Sequence, residues 1–135
     1  MGKYTYEESV RWMRSQPEHA GLVRQCYLDE DNLAAAKRFA SSEEFASLDA
    51  FLGLSRSRQR LKILDVGCGN GIASYAFASL GHDVSAIDPD CSSDVGLEAT
   101  ARLALSLGAG SISTFSSIAE TLPFADATFD IAYAR

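Results

Sequence analysis

The sequence predicts an α/β fold: a parallel sheet preceded by a group of helices. Three observations predict it. From Leu61 onward, short apolar runs alternate with amphipathic stretches of helical length, the pattern of parallel strands joined by right-handed crossovers. The first of these runs ends in a glycine turn, Gly67-Cys68-Gly69-Asn70-Gly71, that opens a helix near Ile72. Strand, glycine turn and helix N-terminus in that order form a nucleotide-type site at the carboxyl edge of such a sheet. Before Leu61 the chain carries repeated helix-start signals instead.

Residues 5–54 read as helical. Thr5-x-x-Glu8, Ser15-x-x-Glu18 and Ser41-x-x-Glu44 have capping-box form, and Pro17 suits a first turn. The expected helices are 6–14, 17–27, 30–40 and 43–53. The last places Phe45, Leu48, Phe51 and Leu52 on one face, with Gly53 as terminator. Tyr4, Tyr6, Trp12 and Tyr27 are expected mainly to pack these helices onto the sheet, because aromatic residues dominate core burial. Residues 55–60, SRSRQR, are a short basic run, read as a solvated connector.

The sheet follows. Strand 1 is expected at 61–66 and its helix at 72–80, ended by Gly81. Strand 2 is expected at 83–88. The next helix spans 93–107, with Leu97, Ala101, Ala104 and Leu105 on its inner face. Strand 3 lies at 111–115. Strand 4 lies at 128–134, where Phe129, Ile131 and Tyr133 alternate with Asp130, Ala132 and Ala134. The 135 residues make one compact unit of two parts, a helical cap and linker at 1–60 and a sheet domain at 61–135.

Composition narrows the function. Apolar residues make up 47% of the chain, enough for a core, yet no apolar stretch has membrane-spanning length. The N-terminus has no signal-peptide apolar region. Cys26, Cys68 and Cys91 are scattered, with no C-x-x-C, which fits a reducing cytoplasm and argues against a disulfide framework or a metal site. The net charge of −6 falls entirely on residues 61–135. An acidic half-molecule repels phosphate backbones, which argues against a nucleic-acid substrate.

The glycine turn is not a dinucleotide fingerprint. Gly71 comes one residue early, and Ile72 stands where the third glycine of G-x-G-x-x-G would be. It is not a Walker loop either, for it has no lysine. Asp65 lies two residues before the first glycine. A carboxylate there suits a cationic ligand better than a pyrophosphate.

With those residues in view, Asp65–Gly71, DVGCGNG, resembles motif I of class I S-adenosylmethionine-dependent methyltransferases. Asp88 closes the second strand 19 residues after Gly69. The stretch AETLPFADATFDIAYAR resembles the segment leading into strand 4 of the small-molecule, type 11 branch. The resemblance covers residues 61–135. It implies a Rossmann-like sheet in which the strands present here take the order 3-2-1-4, strands 5–7 of the seven-stranded family fold being absent. The chain is then an N-terminal fragment of a longer enzyme, and strand 4 is an exposed edge that would suit a homodimer.

The resemblance also implies S-adenosylmethionine as cofactor, S-adenosylhomocysteine as product and a small-molecule methyl acceptor. Asp65 would take the methionine ammonium. Gly67, Cys68 and Gly69 would offer backbone to the methionine part, and Gly71 would start a closely packed helix. Asp88 would accept the ribose hydroxyls, and Pro89 would flank the adenine. Ala119 and Glu120 would contribute to the adenine pocket, where Ile118 replaces the family's usual Asp. Arg135 would line the methionine end. Asn70 is open between a cap and a ligand contact.

No catalytic residue is nominated. Of the two histidines, His82 is expected at the surface, at the end of strand 2 away from the cofactor. Two alternatives remain. One is a non-catalytic cofactor-binding or interaction module; the other, disfavoured by Ile72 and Asp65, is a nicotinamide-dependent oxidoreductase.

Overall fold

The structure, a computed structural model, describes residues 4–108 and 111–135. Helix α1 (Tyr6–Arg14) starts on a complete capping box: Thr5 Oγ1 accepts from the Glu8 N–H, and Glu8 returns a carboxylate to the Thr5 N–H. This satisfies two of the donors that a helix start leaves unpaired. The second expected box does not form. Ser15 instead donates to the Trp12 carbonyl, and Pro17–His19 make a single 3-10 turn before α2 (Ala20–Gln25). Helix α3 (Asn32–Ala40) is capped by Asp31, two residues after its expected start, and α4 (Glu43–Leu52) by Ser42 rather than Ser41. Gly53 ends α4 in the left-handed region, φ 68°.

The sheet holds β1 (Lys62–Val66), β2 (Asp83–Asp88), β3 (Ile112–Ser116) and β4 (Ile131–Ala134). All pairings are parallel and the order is β3-β2-β1-β4, as expected for the first four strands of a Rossmann-like sheet. Ile63 sits beside Val84 and Ile131, and Asp65 beside Ala86 and Tyr133, so these residues share one face. That face packs on α5 (Ile72–Ser79), where the Phe77 and Tyr133 rings meet edge to face at 5.2 Å. The apolar, almost fully buried α5 is the centre of the core. An aromatic ladder joins it to the N-terminal helices: Tyr27, Phe39, Phe45 and Phe77 stack in succession with centroids 5.3–5.8 Å apart. On the other face, Leu64 and Ile87 are buried, and Phe115, Phe124 and Phe129 interlock.

Several details differ from the sequence expectation. Helix α6 (Leu97–Leu107) begins four residues late, because Asp90 Oδ1 accepts from the Ser92 N–H and a tight turn precedes it. Gly96 is pressed into that turn, where a side chain would overlap the Asp90 carbonyl. The buried face of α6 is Leu97, Ala99, Thr100 and Leu103, not the face of Ala101 and Leu105; Leu105 is 82% exposed. Phe51 is 87% exposed, since α4 turns only Phe45 fully inward. Tyr4, Tyr6 and Trp12 are also exposed, so only Tyr27 of the four N-terminal aromatics joins the core. Strand β4 starts at Ile131 because Asp130 is spent on Lys62, donating its N–H to the Lys62 carbonyl and accepting the Lys62 N–H at Oδ2.

His82 is the largest correction. It is 3% exposed, not at the surface. Its Nδ1 accepts from the Leu61 N–H at 3.2 Å, so Nε2 carries the proton and donates to the Leu54 carbonyl at 3.0 Å. The ring bridges the end of the helical region to the start of β1. No helix among the described residues is long and apolar enough to cross a membrane.

Candidate functional site

The glycine turn is held from three sides. The Gly67 and Cys68 N–H groups donate to the Ile87 carbonyl at 2.9 and 3.0 Å. The Gly69 N–H donates to Asp88 Oδ2 at 2.9 Å, and the Gly69 carbonyl accepts from Thr100 Oγ1 at 2.9 Å. Gly67, Gly69 and Gly71 all have positive φ, 68°, 53° and 80°, a region closed to most side chains. Gly71 has a second constraint: a Cβ there would lie 2.5 Å from Thr100 Oγ1. Its bareness lets α5 and α6 meet. At Gly67 a Cβ would meet nothing within 4 Å, so the backbone is open on the cleft side.

Asp65 is the chemical centre of the site. It is 2% exposed, and its Oδ2 accepts a 2.6 Å bond from Ser74 Oγ on the first turn of α5. Burial pushes its carboxyl up to about 6, and the charge of Asp88 adds to the rise, while the Ser74 hydroxyl and backbone N–H hold it down. Its Oδ1 is engaged by no side chain among the described residues. Cys68 is also buried, and burial, together with Asp65, pushes its thiol up to about 12. It is a neutral thiol that presents backbone to the cleft, with no redox character.

The cleft has a volume of about 160 Å³. Its floor is Asp65, Gly67, Cys68, Gly69 and Asn70. Its roof comes from the N-terminal helices as Tyr6, Cys26 and Leu28, with Arg135 at the end of β4. The sequence reading assigned Tyr6 mainly to helix packing and singled out neither Cys26 nor Leu28 for this site. What brings them there is a set of polar ties. Asp94, in the turn before α6, takes Arg11 Nε at 2.8 Å and Arg14 Nη1 at 3.2 Å on one oxygen. Glu7 accepts from the Asp94 N–H and from Ser93 Oγ. Arg14 Nε also donates to the Leu28 carbonyl at 2.7 Å. Asn70 donates to the Tyr27 carbonyl at 2.8 Å and accepts at its own carbonyl from Asn32. Tyr27 sits in the left-handed region, φ 55°, so Asn70 steadies a backbone conformation that costs energy for a non-glycine residue.

The structure therefore brings Asp65, Gly67, Cys68, Gly69 and Arg135 together around one cleft. Gly71 lies behind it as a packing contact. Asp88 borders it, with Oδ2 on Gly69 and Oδ1 accepting the Asp90 N–H at 2.8 Å. Pro89, Ala119 and Glu120 are exposed and do not line the cleft. The Arg135 guanidinium turns away to Glu44, 2.9 Å, and lies over the Tyr27 and Phe39 rings. Three contributors escaped the sequence reading. Ser74 and Thr100 are helix-interior hydroxyls with no motif spacing to mark them, and Asp94 sits in a turn read as helix.

Comparison with known proteins decides between the readings this geometry allows. A family profile described as a methyltransferase domain matches residues 63–135. The chain belongs to that methyltransferase family. Among curated relatives of this methyltransferase domain, the ubiquinone biosynthesis O-methyltransferase of Bordetella avium (strain 197N) is 39% identical over 74 residues, 49% of this chain and 31% of the relative. The O-methyltransferase resE of Aspergillus sclerotiorum is 32% identical over 115 residues, 85% of this chain and 42% of the relative. The chain thus spans less than half the length of either. In solved structures, the 1,6-didemethyltoxoflavin-N1-methyltransferase of Burkholderia thailandensis, with bound S-adenosylhomocysteine, is similar at a TM-score of 0.53 and 26% identity, covering 98% of this chain and 50% of that one. The cofactor class expected from the glycine turn and Asp65 agrees with these relatives.

Proposed function

We propose that this methyltransferase domain binds S-adenosylmethionine at the glycine turn and serves transfer of its methyl group to a hydroxyl of a small-molecule acceptor. The observation that carries the reading is Asp65: a buried carboxylate beside an open glycine backbone, tied on one oxygen by Ser74. Such a group favours a cation arriving in the cleft. The ammonium of the methionine part supplies that charge, and a pyrophosphate would be repelled.

The chain's residues then have these roles. Asp65 receives the ammonium. Gly67, Cys68 and Gly69 present backbone to the methionine part, and Gly71 keeps α5 and α6 close enough to hold that backbone in place. Asp88 borders the cleft where ribose hydroxyls would be accepted. Pro89, Ala119 and Glu120, exposed outside the cleft, would meet the adenine only where it extends beyond that cleft, and Arg135 closes the methionine end. Residues 1–60 act as a cap that excludes water. When bound, the cofactor supplies an electrophilic methyl on a sulfonium. The protein's share of the chemistry is alignment and dehydration. The O-methyltransferase names of the Bordetella and Aspergillus relatives support a hydroxyl, and the 1,6-didemethyltoxoflavin bound to the Burkholderia N1-methyltransferase supports a small molecule as acceptor.

The short span of relatives covered supports reading the chain as the cofactor-binding part of a longer enzyme. Strand β4 is an edge of the sheet, which suits pairing with another strand, including that of a second copy; light scattering of the chain tests the latter. A second reading, a binding or interaction module that holds the cofactor weakly or not at all and does not turn over, is favoured by the exposure of Ile118, Ala119 and Glu120. The deciding experiment is calorimetric titration with S-adenosylhomocysteine, with Asp88→Ala as control. Saturable binding weakened by the substitution supports the proposal. A folded chain that takes up no ligand overturns it.

A further inference from the structure

Asp65 is an unusual ligand for a cation. It has no arginine, lysine or histidine as partner among the described residues, and its only side-chain hydrogen bond comes from Ser74, itself fully buried. A lone carboxylate removed from water tends to keep its proton. The groups around it do not help it ionise. From β2, Asp88 contributes like charge; from the turn, Cys68 is a neutral thiol; from β4, Tyr133 is a neutral phenol. Arg135 lines the same cleft but is paired with Glu44. The Ser74 hydroxyl donates a charge-assisted bond to the carboxylate and, with the Ser74 N–H, favours the charged form.

We propose that Ser74 is a positioning residue for the cofactor: its 2.6 Å hydrogen bond orients the buried Asp65 carboxyl and favours the charged form that an arriving ammonium requires. The inference rests on the cofactor reading above and deepens it. In the ligand-free protein Asp65 exchanges its proton near pH 6. An ammonium in the cleft replaces that proton, and the charge of the pocket balances. Uptake of the cofactor is therefore strong in neutral solution and weakens in mild acid, at a midpoint that burial raises and the Ser74 hydroxyl lowers.

Two measurements on the whole chain separate this inference from the reading beneath it. The first needs no ligand: the carboxyl carbon of Asp65, assigned by its loss in Asp65→Asn, is titrated by NMR in the wild type and in Ser74→Ala. The midpoint is expected to rise by about one pH unit on loss of the hydroxyl. An unmoved midpoint overturns the role of Ser74. The second is calorimetric titration with S-adenosylhomocysteine between pH 5 and pH 7.5, in buffers of different ionisation enthalpy. Wild type should release a proton on binding at the acid end. Ser74→Ala should bind about tenfold more weakly than wild type at pH 5 but within about twofold at pH 7.5. Asp65→Asn, which preserves shape and can still accept from Ser74, should show neither proton release nor a pH-dependent affinity. Binding by wild type with a flat pH profile overturns the coupling while leaving the cofactor reading intact. Absence of binding at every pH by a folded wild type overturns both.

Discussion

Gly71 and Thr100 stand so close that any side chain on the glycine would enter the threonine: its Cβ would lie 2.5 Å from Oγ1 and 2.8 Å from Cγ2. The contact joins the start of α5 to the second turn of α6. The same threonine hydroxyl holds the Gly69 carbonyl, so one crowded point fixes both helix spacing and turn shape.

Gly71→Ala should therefore cost about 3 kcal/mol, from a left-handed backbone at φ 80° together with the overlap. A urea unfolding midpoint measures it. Thr100→Ala alone should cost about 1 kcal/mol by leaving the Gly69 carbonyl without its donor. Combined, the two changes should cost less than their sum, because the second removes what the first collides with. Strict additivity would show that the contact is not the source of the loss.

His82→Ala should destabilise by about 2–3 kcal/mol, because the Leu61 N–H and the Leu54 carbonyl both lose their buried partner. Thermal unfolding measures the loss. Since the ring is far from the cleft, the affinity for S-adenosylhomocysteine of the molecules that remain folded should not change. A parallel fall in affinity would place His82 in the site.

These two cases show what the sequence could and could not convey. The sheet was legible because its signal is local: LKILDV, DVSAID and the alternation through Ile131 and Tyr133 each state a strand, and the glycine turn states which end is open. The capping box at Thr5 was equally local. The box at Ser15 failed because Pro17 already starts a separate turn, and Ser42 outcompeted Ser41 by a single residue. Burial faces were less legible. Phe51 and Leu105 are as apolar as Phe45 and Leu103, and only packing against α5 and the sheet selects among them. His82 was misread because its two partners, Leu54 and Leu61, come from a connector whose path the sequence does not state. At the site, the floor was written in one continuous motif, whereas the roof depends on Glu7, Arg11 and Arg14 meeting residues eighty or more positions away.

Asp94→Ala should release that roof. Arg11 and Arg14 lose their shared carboxylate, and α1 loses its tie to the turn before α6. The pairs are partly exposed, so global stability should change little. Hydrogen exchange of α1 should quicken, and S-adenosylhomocysteine should dissociate faster. Salt should produce the same effect in the wild type. The hydrogen bond from Arg11 holds the Asp94 carboxyl below its ordinary value, so the tie is complete above that ordinary value and is lost only as pH falls through the lowered one. An α1 that exchanges at the same rate in Asp94→Ala would show that the helix is held by its apolar face alone.

Asp65→Asn should make the protein more stable and less able to bind. The folded state holds the Asp65 proton up to about pH 6, against 3.8 for an unperturbed group. Between those values the folded chain binds more protons than the unfolded one, so this residue's contribution to stability falls as pH rises. Its penalty is absent below the unfolded value and complete above about pH 6, where it amounts to roughly 3 kcal/mol. Asparagine has the same shape and no charge to bury. The variant should therefore exceed the wild type in stability by up to that amount at pH 7, and the gap should close toward pH 4. Denaturant unfolding of both chains at the two pH values measures this, and the difference between them cancels every other titrating group. A gap that stays constant with pH would show that Asp65 is not buried as a charge. A gap that closes, in a variant that takes up S-adenosylhomocysteine more weakly, would show that the site holds its carboxylate at the expense of the fold because a cation is meant to meet it.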